Sequence, residues 1–128
     1  TPRSALTQDL IERLKVPADR SLYLLFAHLQ AAPLVSLGQE VAACQIVGYV
    51  GASGNTSAPH LHLETRLGPP GISFEVFSAF TENVTPQEAA NYRRWRVGGE
   101  FVHFDPMKLL DPQHPSPTVT PRPTRKAP

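Results

Sequence analysis

His60, His62 and Glu64 have the clearest capacity for chemistry, and they stand two apart in Pro59-His60-Leu61-His62-Leu63-Glu64. Alternate side chains of a strand share a face. The three polar side chains therefore point one way, and Leu61, Leu63 and Thr65 point the other. Two imidazoles side by side, with leucines behind them to seat the strand, suit holding a metal ion, or holding one and moving a proton. The approach is a glycine-containing loop from Gly54 to Ala58. Pro59 keeps the entry extended and turns Ala58 away from helix. A bare His-x-His also occurs without any chemistry. The loop, the apolar back face and a further histidine upstream, His28, weigh for a site.

Other residues invite weaker readings. His103 and Asp105 share one side of an extended stretch as a second metal pair, against the alternative that Asp105-Pro106 ends a strand in a turn. Arg93, Arg94 and Arg96 around Trp95 make either a basic, aromatic ligand patch or a solvated helix face with one anchoring aromatic; the second is favoured. Cys44, between two short apolar runs, is expected to be a semi-buried turn residue and no nucleophile, because no base adjoins it in sequence.

The elements that must position these residues follow from the pattern. Leu6, Leu10, Ile11 and Leu14 recur at helical spacing over residues 4–15, with Ser4 as the cap and Pro17 as the stop. That helix is read as packed on the domain in preference to binding a partner. Ser21 to Leu29 is a nearly continuous apolar run, short and aromatic enough for a buried strand, with His28 near its end. Residues 34–50 repeat short apolar pairs punctuated by Gly38, Gly48 and, just beyond, Gly51, a rhythm of short strands and turns. Ser73 to Phe80 is apolar and aromatic, a strand or a covering loop. Thr85-Pro86-Gln87-Glu88 is a strong helix start with a capping box, and the helix runs to about Trp95 before Gly98-Gly99. The expected fold is an all-β core, sandwich- or barrel-like, with one or two short helices. Residues 1–20 are the connector, 21–111 the domain with a helical insertion at about 85–96, and 112–128 a Pro-rich tail. The tail has no apolar periodicity and cannot offset its own ordering entropy.

Composition narrows the classes. The chain has 128 residues, 41% of them hydrophobic, and a formal charge of +1. One modest core fits that length, and the charge balance gives no footprint for nucleic acid. One cysteine excludes an intrachain disulfide. No apolar run reaches the length of a membrane span. No signal peptide is recognisable and Thr1 is not an initiator Met, so the chain is read as processed, trimmed or taken from a longer protein. A carrier barrel of the lipoyl or biotinyl sort shares the glycine rhythm but needs a lysine at a hairpin tip. The one Met-Lys pair, Met107-Lys108, follows Asp-Pro near the domain's end.

Taken together, Tyr23 to Leu29 ending in Ala-His-Leu, Gly38-Gln39-x-Val41, Gln45-x-x-Gly48-x-Val50-Gly51, Ser53-Gly54-Asn55, Pro59 to Glu64 and Phe104-Asp105-Pro106 to Leu110 resemble the lysostaphin-type (LytM-like) zinc metallopeptidases. The resemblance covers residues 21–66 and 101–110, and the helix at 85–95 looks like an insertion. It implies a β-sandwich of the duplicated-hybrid-motif kind, one zinc ion, and hydrolysis of peptide cross-bridges in bacterial peptidoglycan outside the cytoplasmic membrane. By position, His62 is implied as a zinc ligand. His28 and His60 are implied as the two non-ligand histidines that orient and deprotonate the attacking water and stabilise the tetrahedral intermediate. Glu64 is a candidate outer partner that orients one of these rings. The chain departs from the family in one respect that matters. Two zinc ligands come from a His-x-x-x-Asp motif upstream of the first catalytic histidine, and nothing before His28 is a histidine. Three explanations follow: the ligands lie in an upstream segment or another chain, the domain is a non-catalytic relative that binds wall or activates another hydrolase, or Asp9 and Asp19 substitute. A smaller departure is Cys44, where the family usually has glycine before the Gln.

Overall fold

The computed structural model describes residues 1–74 and 84–109. Its centre is a three-stranded antiparallel sheet in the order β1-β2-β3, with β1 Ser21–Ala27, β2 His62–Gly68 and β3 Val102–His103. The described residues also form two α-helices, α1 Gln8–Leu14 and α2 Pro86–Arg96. The expectation of an all-β core with short helices holds in this form. The calls on Glu75 to Phe80 and on the tail from 112 lie outside the described residues.

Strand register decides what shares a face. Tyr23 pairs with Arg66, Leu25 with Glu64 and Ala27 with His62. These six residues occupy one face of the sheet, because positions two apart point the same way. Leu22, Leu24 and Phe26 pair with Leu67, Thr65 and Leu63 on the other. Small Ala27 beside His62 leaves room for the imidazole at the end of the ladder. The apolar run of β1 was expected to be buried, yet Leu24 is 41% and Phe26 40% exposed. The cause is position: β1 is an edge strand, and on its outer side only Thr1 pairs with it among the described residues, through Leu22 N–H to Thr1 O at 2.9 Å and the terminal amine to Leu22 O at 2.7 Å.

An aromatic cluster packs α2 against the polar face of the sheet. Trp95 is 3% exposed and lies with Phe101, Tyr23 and Phe74 at centroid separations of 5.3, 6.4 and 5.5 Å. Each such pair adds about 0.5–1.5 kcal/mol beyond its burial. Gly68 admits Phe101, since a Cβ there would lie 2.3 Å from the Phe101 ring. Thr65, fully buried, closes the other side by donating from Oγ1 to the Phe104 carbonyl at 2.5 Å. Helix α2 starts as its sequence predicts: the Thr85 side chain caps, Glu88 completes the capping box and Pro86 takes the first turn.

Three local expectations are corrected. Thr7, not Ser4, caps the first helix, because a separate 3-10 turn Arg3–Ala5 precedes it and Leu6 is extended. Residues 34–50 form no ladder: backbone bonds from Gln30 to Tyr49 and from Leu34 to Val47 hold the segment, with one isolated bridge between Leu29 and Val50. Cys44 is exposed and has φ 63°, so it is a turn residue as expected but not a buried one.

Candidate functional site

His62 opens β2, and His60 lies just before it in an isolated bridge to Gly51. His28 follows the last residue of β1 with φ 59°, a left-handed conformation uncommon for a residue with a side chain. That turn is anchored by Gly51 N–H, which donates to the His28 carbonyl at 2.9 Å. Only glycine fits at 51, since a Cβ would meet the Gln30 backbone at 2.3 Å. The left-handed step at the strand end brings His28 against the later pair: ring centroids are 4.7 Å from His60 and 5.7 Å from His62. The three imidazoles singled out from the sequence are brought together, from two segments far apart in the chain.

Hydrogen-bond partners assign the tautomers of the neutral rings. His28 Nδ1 lies 2.7 Å from the Ser53 carbonyl, an acceptor only, so Nδ1 carries the proton and Nε2 keeps a lone pair. His60 Nδ1 lies 2.9 Å from the Ala58 carbonyl and 3.1 Å from Thr56 Oγ1, with the same consequence. His62 is the reverse: Nε2 donates to Glu64 Oε1 at 2.9 Å, leaving the lone pair on Nδ1. The Gly54 loop thus supplies the carbonyls that point two basic nitrogens outward, and the sheet supplies the carboxylate that turns the third ring the other way.

Glu64 is 7% exposed and heavily subscribed. Its Oε2 accepts from Trp95 Nε1 at 2.8 Å and from Arg66 at 3.3 Å, and Arg96 reaches Oε1. Burial alone would raise its pKa. The bonds from Trp95 and His62, the charge of Arg96 and the bond from Arg66 outweigh it and hold the carboxyl below its usual range. Sequence reasoning identified Glu64 as a partner of a histidine ring but missed Trp95 and Arg96 as its holders. The capping box located their helix, yet no spacing connects position 95 with position 64.

The other candidates do not assemble. Asp105 Oδ1 accepts from Met107 N–H at 2.9 Å and starts the 3-10 turn Pro106–Leu109, so the strand-end reading of Asp105-Pro106 is the one observed. His103 sits exposed on β3 opposite Arg66. Arg94 pairs with Glu100 at 2.6 Å while Arg96 turns inward, so the arginines form no single patch. Asp9 pairs with Arg13 on α1.

A strand–loop–strand frame here gathers three imidazoles, one of them bonded to a buried carboxylate. The sequence model of peptidase family M23 matches residues 11–72, which supports a LytM-like M23 peptidase domain over that segment. No curated protein and no solved structure matches the chain. Helix α2, with Trp95 and Arg96, lies beyond the matched residues.

M23 peptidases are generally zinc-dependent, and the fit of this chain to zinc is partial. A catalytic zinc takes three protein ligands and keeps one open position. His62 is prepared as one, with a lone pair on Nδ1 and a carboxylate behind Nε2, the arrangement usual for a metal-bound histidine. Among the described residues, however, no group of three His, Cys, Asp or Glu side chains can hold a metal ion. These residues by themselves do not make a zinc centre.

Proposed function

We propose that the domain hydrolyses peptide cross-bridges of bacterial peptidoglycan and that its zinc is held only when donors from beyond the described residues join His62. The observation that supports this reading is the convergence of His28 and His60 with their Nε2 lone pairs free of protein partners among the described residues. Two such nitrogens can take a proton from a water attacking a peptide carbonyl and return it to the leaving amine as the C–N bond breaks. Imidazole suits both transfers because its basicity lies near neutrality. A wall substrate would place the protein outside the cytoplasmic membrane. No helix among the described residues is long and apolar enough to cross one.

The test is hydrolysis of purified wall and of a synthetic cross-bridge peptide, with zinc supplied and metal content measured. His60→Ala should lower the rate by about 10²–10⁴-fold, with the fold unchanged by circular dichroism. Equal clearance by the variant would exclude the proton-transfer assignment.

That no three-donor group forms among the described residues favours a second reading, a module that binds wall or activates another hydrolase without cleaving. A protein that co-sediments with wall, takes up no zinc and releases no peptide belongs to that class.

A further inference from the structure

We propose that helix α2 is a positioning element for the peptidase centre: Trp95 and Arg96 hold the Glu64 carboxylate in the plane that fixes the ring of His62. This deepens the peptidase reading and rests on it for its functional consequence, though not for its geometry.

The carboxylate has two oxygens and four donors. On β2 itself it meets only His62 and Arg66, each two residues away along the strand. A Glu side chain held by strand neighbours alone keeps rotational freedom about its last torsion, which is broad and roughly two-fold. The remaining donors come from 31 and 32 residues further on. Trp95 is clamped in the aromatic cluster, so its indole N–H is aimed by packing and not by its own rotamer choice. It takes Oε2, and that leaves Oε1 directed at His62 Nε2. Arg96 approaches Oε1 from the rim with its side chain a third exposed, and its guanidinium also lies over Tyr92 at 5.5 Å. Arg66 closes the cage by stacking on Trp95 at 5.1 Å while it bonds Glu64. Consecutive residues of one helix thus converge on one carboxylate, which touches one of the three site histidines.

A purely structural role, pairing a buried charge, would leave the His62 ring indifferent to which donors remain. The two roles are separated by long-range proton–nitrogen correlation spectra of the full chain labelled with ¹⁵N-histidine. In the parent protein His62 should appear as a single tautomer protonated at Nε2. Arg96→Ala, and Trp95→Phe, which keeps an aromatic ring but deletes the N–H, should each give a mixture of tautomers. Arg96→Lys should restore the single form, and Arg94→Ala should match the parent. In the hydrolysis assay the first two variants should lose about 10–100-fold in kcat, typical of a lost outer partner, with KM unchanged. If Trp95→Phe does not fold, Arg96→Ala decides the matter. A folded Arg96→Ala whose His62 remains wholly the Nε2–H tautomer overturns the proposal. If the parent hydrolyses nothing, the peptidase reading fails while the spectra still judge the positioning.

Discussion

His28 shows how one residue can be placed at the expense of its own backbone. A left-handed conformation costs a side-chain-bearing residue about 1–2 kcal/mol, and His28 adopts it at the end of β1. The compensation is the bond from Gly51 and the Ser53 carbonyl on Nδ1. Asn tolerates the left-handed region more readily than most residues. His28→Asn should therefore retain or slightly raise the denaturant midpoint while abolishing hydrolysis. A variant that loses stability by more than about 1 kcal/mol would show that the imidazole, and not the backbone, stabilises the turn. At the same scale Glu64 is a buried anion answered by four donors, so deleting one donor leaves its charge less fully compensated.

At the scale of elements, α2 is specified locally and used remotely. Thr85 and Glu88 nucleate it through reciprocal bonds: Glu88 N–H donates to Thr85 Oγ1 at 3.2 Å, and Thr85 N–H donates to Glu88 Oε2 at 2.9 Å. Thr85→Ala should destabilise the domain by about 0.5–2 kcal/mol. The backbone bond from Thr85, and then its hydroxyl, lower the pKa of Glu88. A depressed carboxyl contributes stability above the usual carboxylate range and loses it as pH falls through its folded value. The gap between parent and Thr85→Ala should therefore be widest near neutrality and narrow in acid. Thermal melts of both proteins across that range check the sign. A gap that widens in acid would exclude the capping box as its cause.

At the scale of the whole molecule, the sheet formed by the described residues leaves the β1 edge largely unpaired and apolar side chains exposed on its outer face. Leu24 and Phe26 project from β1, whose outer edge has Thr1 as its only backbone partner among the described residues. Such edges template pairing between chains, and lysine on them suppresses it. Leu24→Lys should lower concentration-dependent association measured by light scattering at little loss of stability, since the lysine stem still covers some of the surface. Unchanged association would show that the edge is not what brings chains together.

Much of this architecture is local and was therefore legible in the residues. Alternation in Pro59 to Glu64 put His62 and Glu64 on one face, and the capping box set the start of α2 within a residue. The motif order from Ala27-His28 to His60-x-His62 identified the family because its spacing reflects strands that must pair. Other features depend on registers and close approaches between segments far apart in sequence. No pattern shows that Ala27 lies beside His62, that Gly51 must admit the Gln30 backbone, or that β1 is an edge and so half exposed. Nor does any spacing bring Trp95 and Arg96 onto Glu64. The chemistry of each side chain was determined by its type and its neighbours along the strand; which nitrogen of His28 and His60 is free was decided by how the Gly54 loop folds against them, and what holds the carboxylate behind His62 only when the helix packed on the sheet.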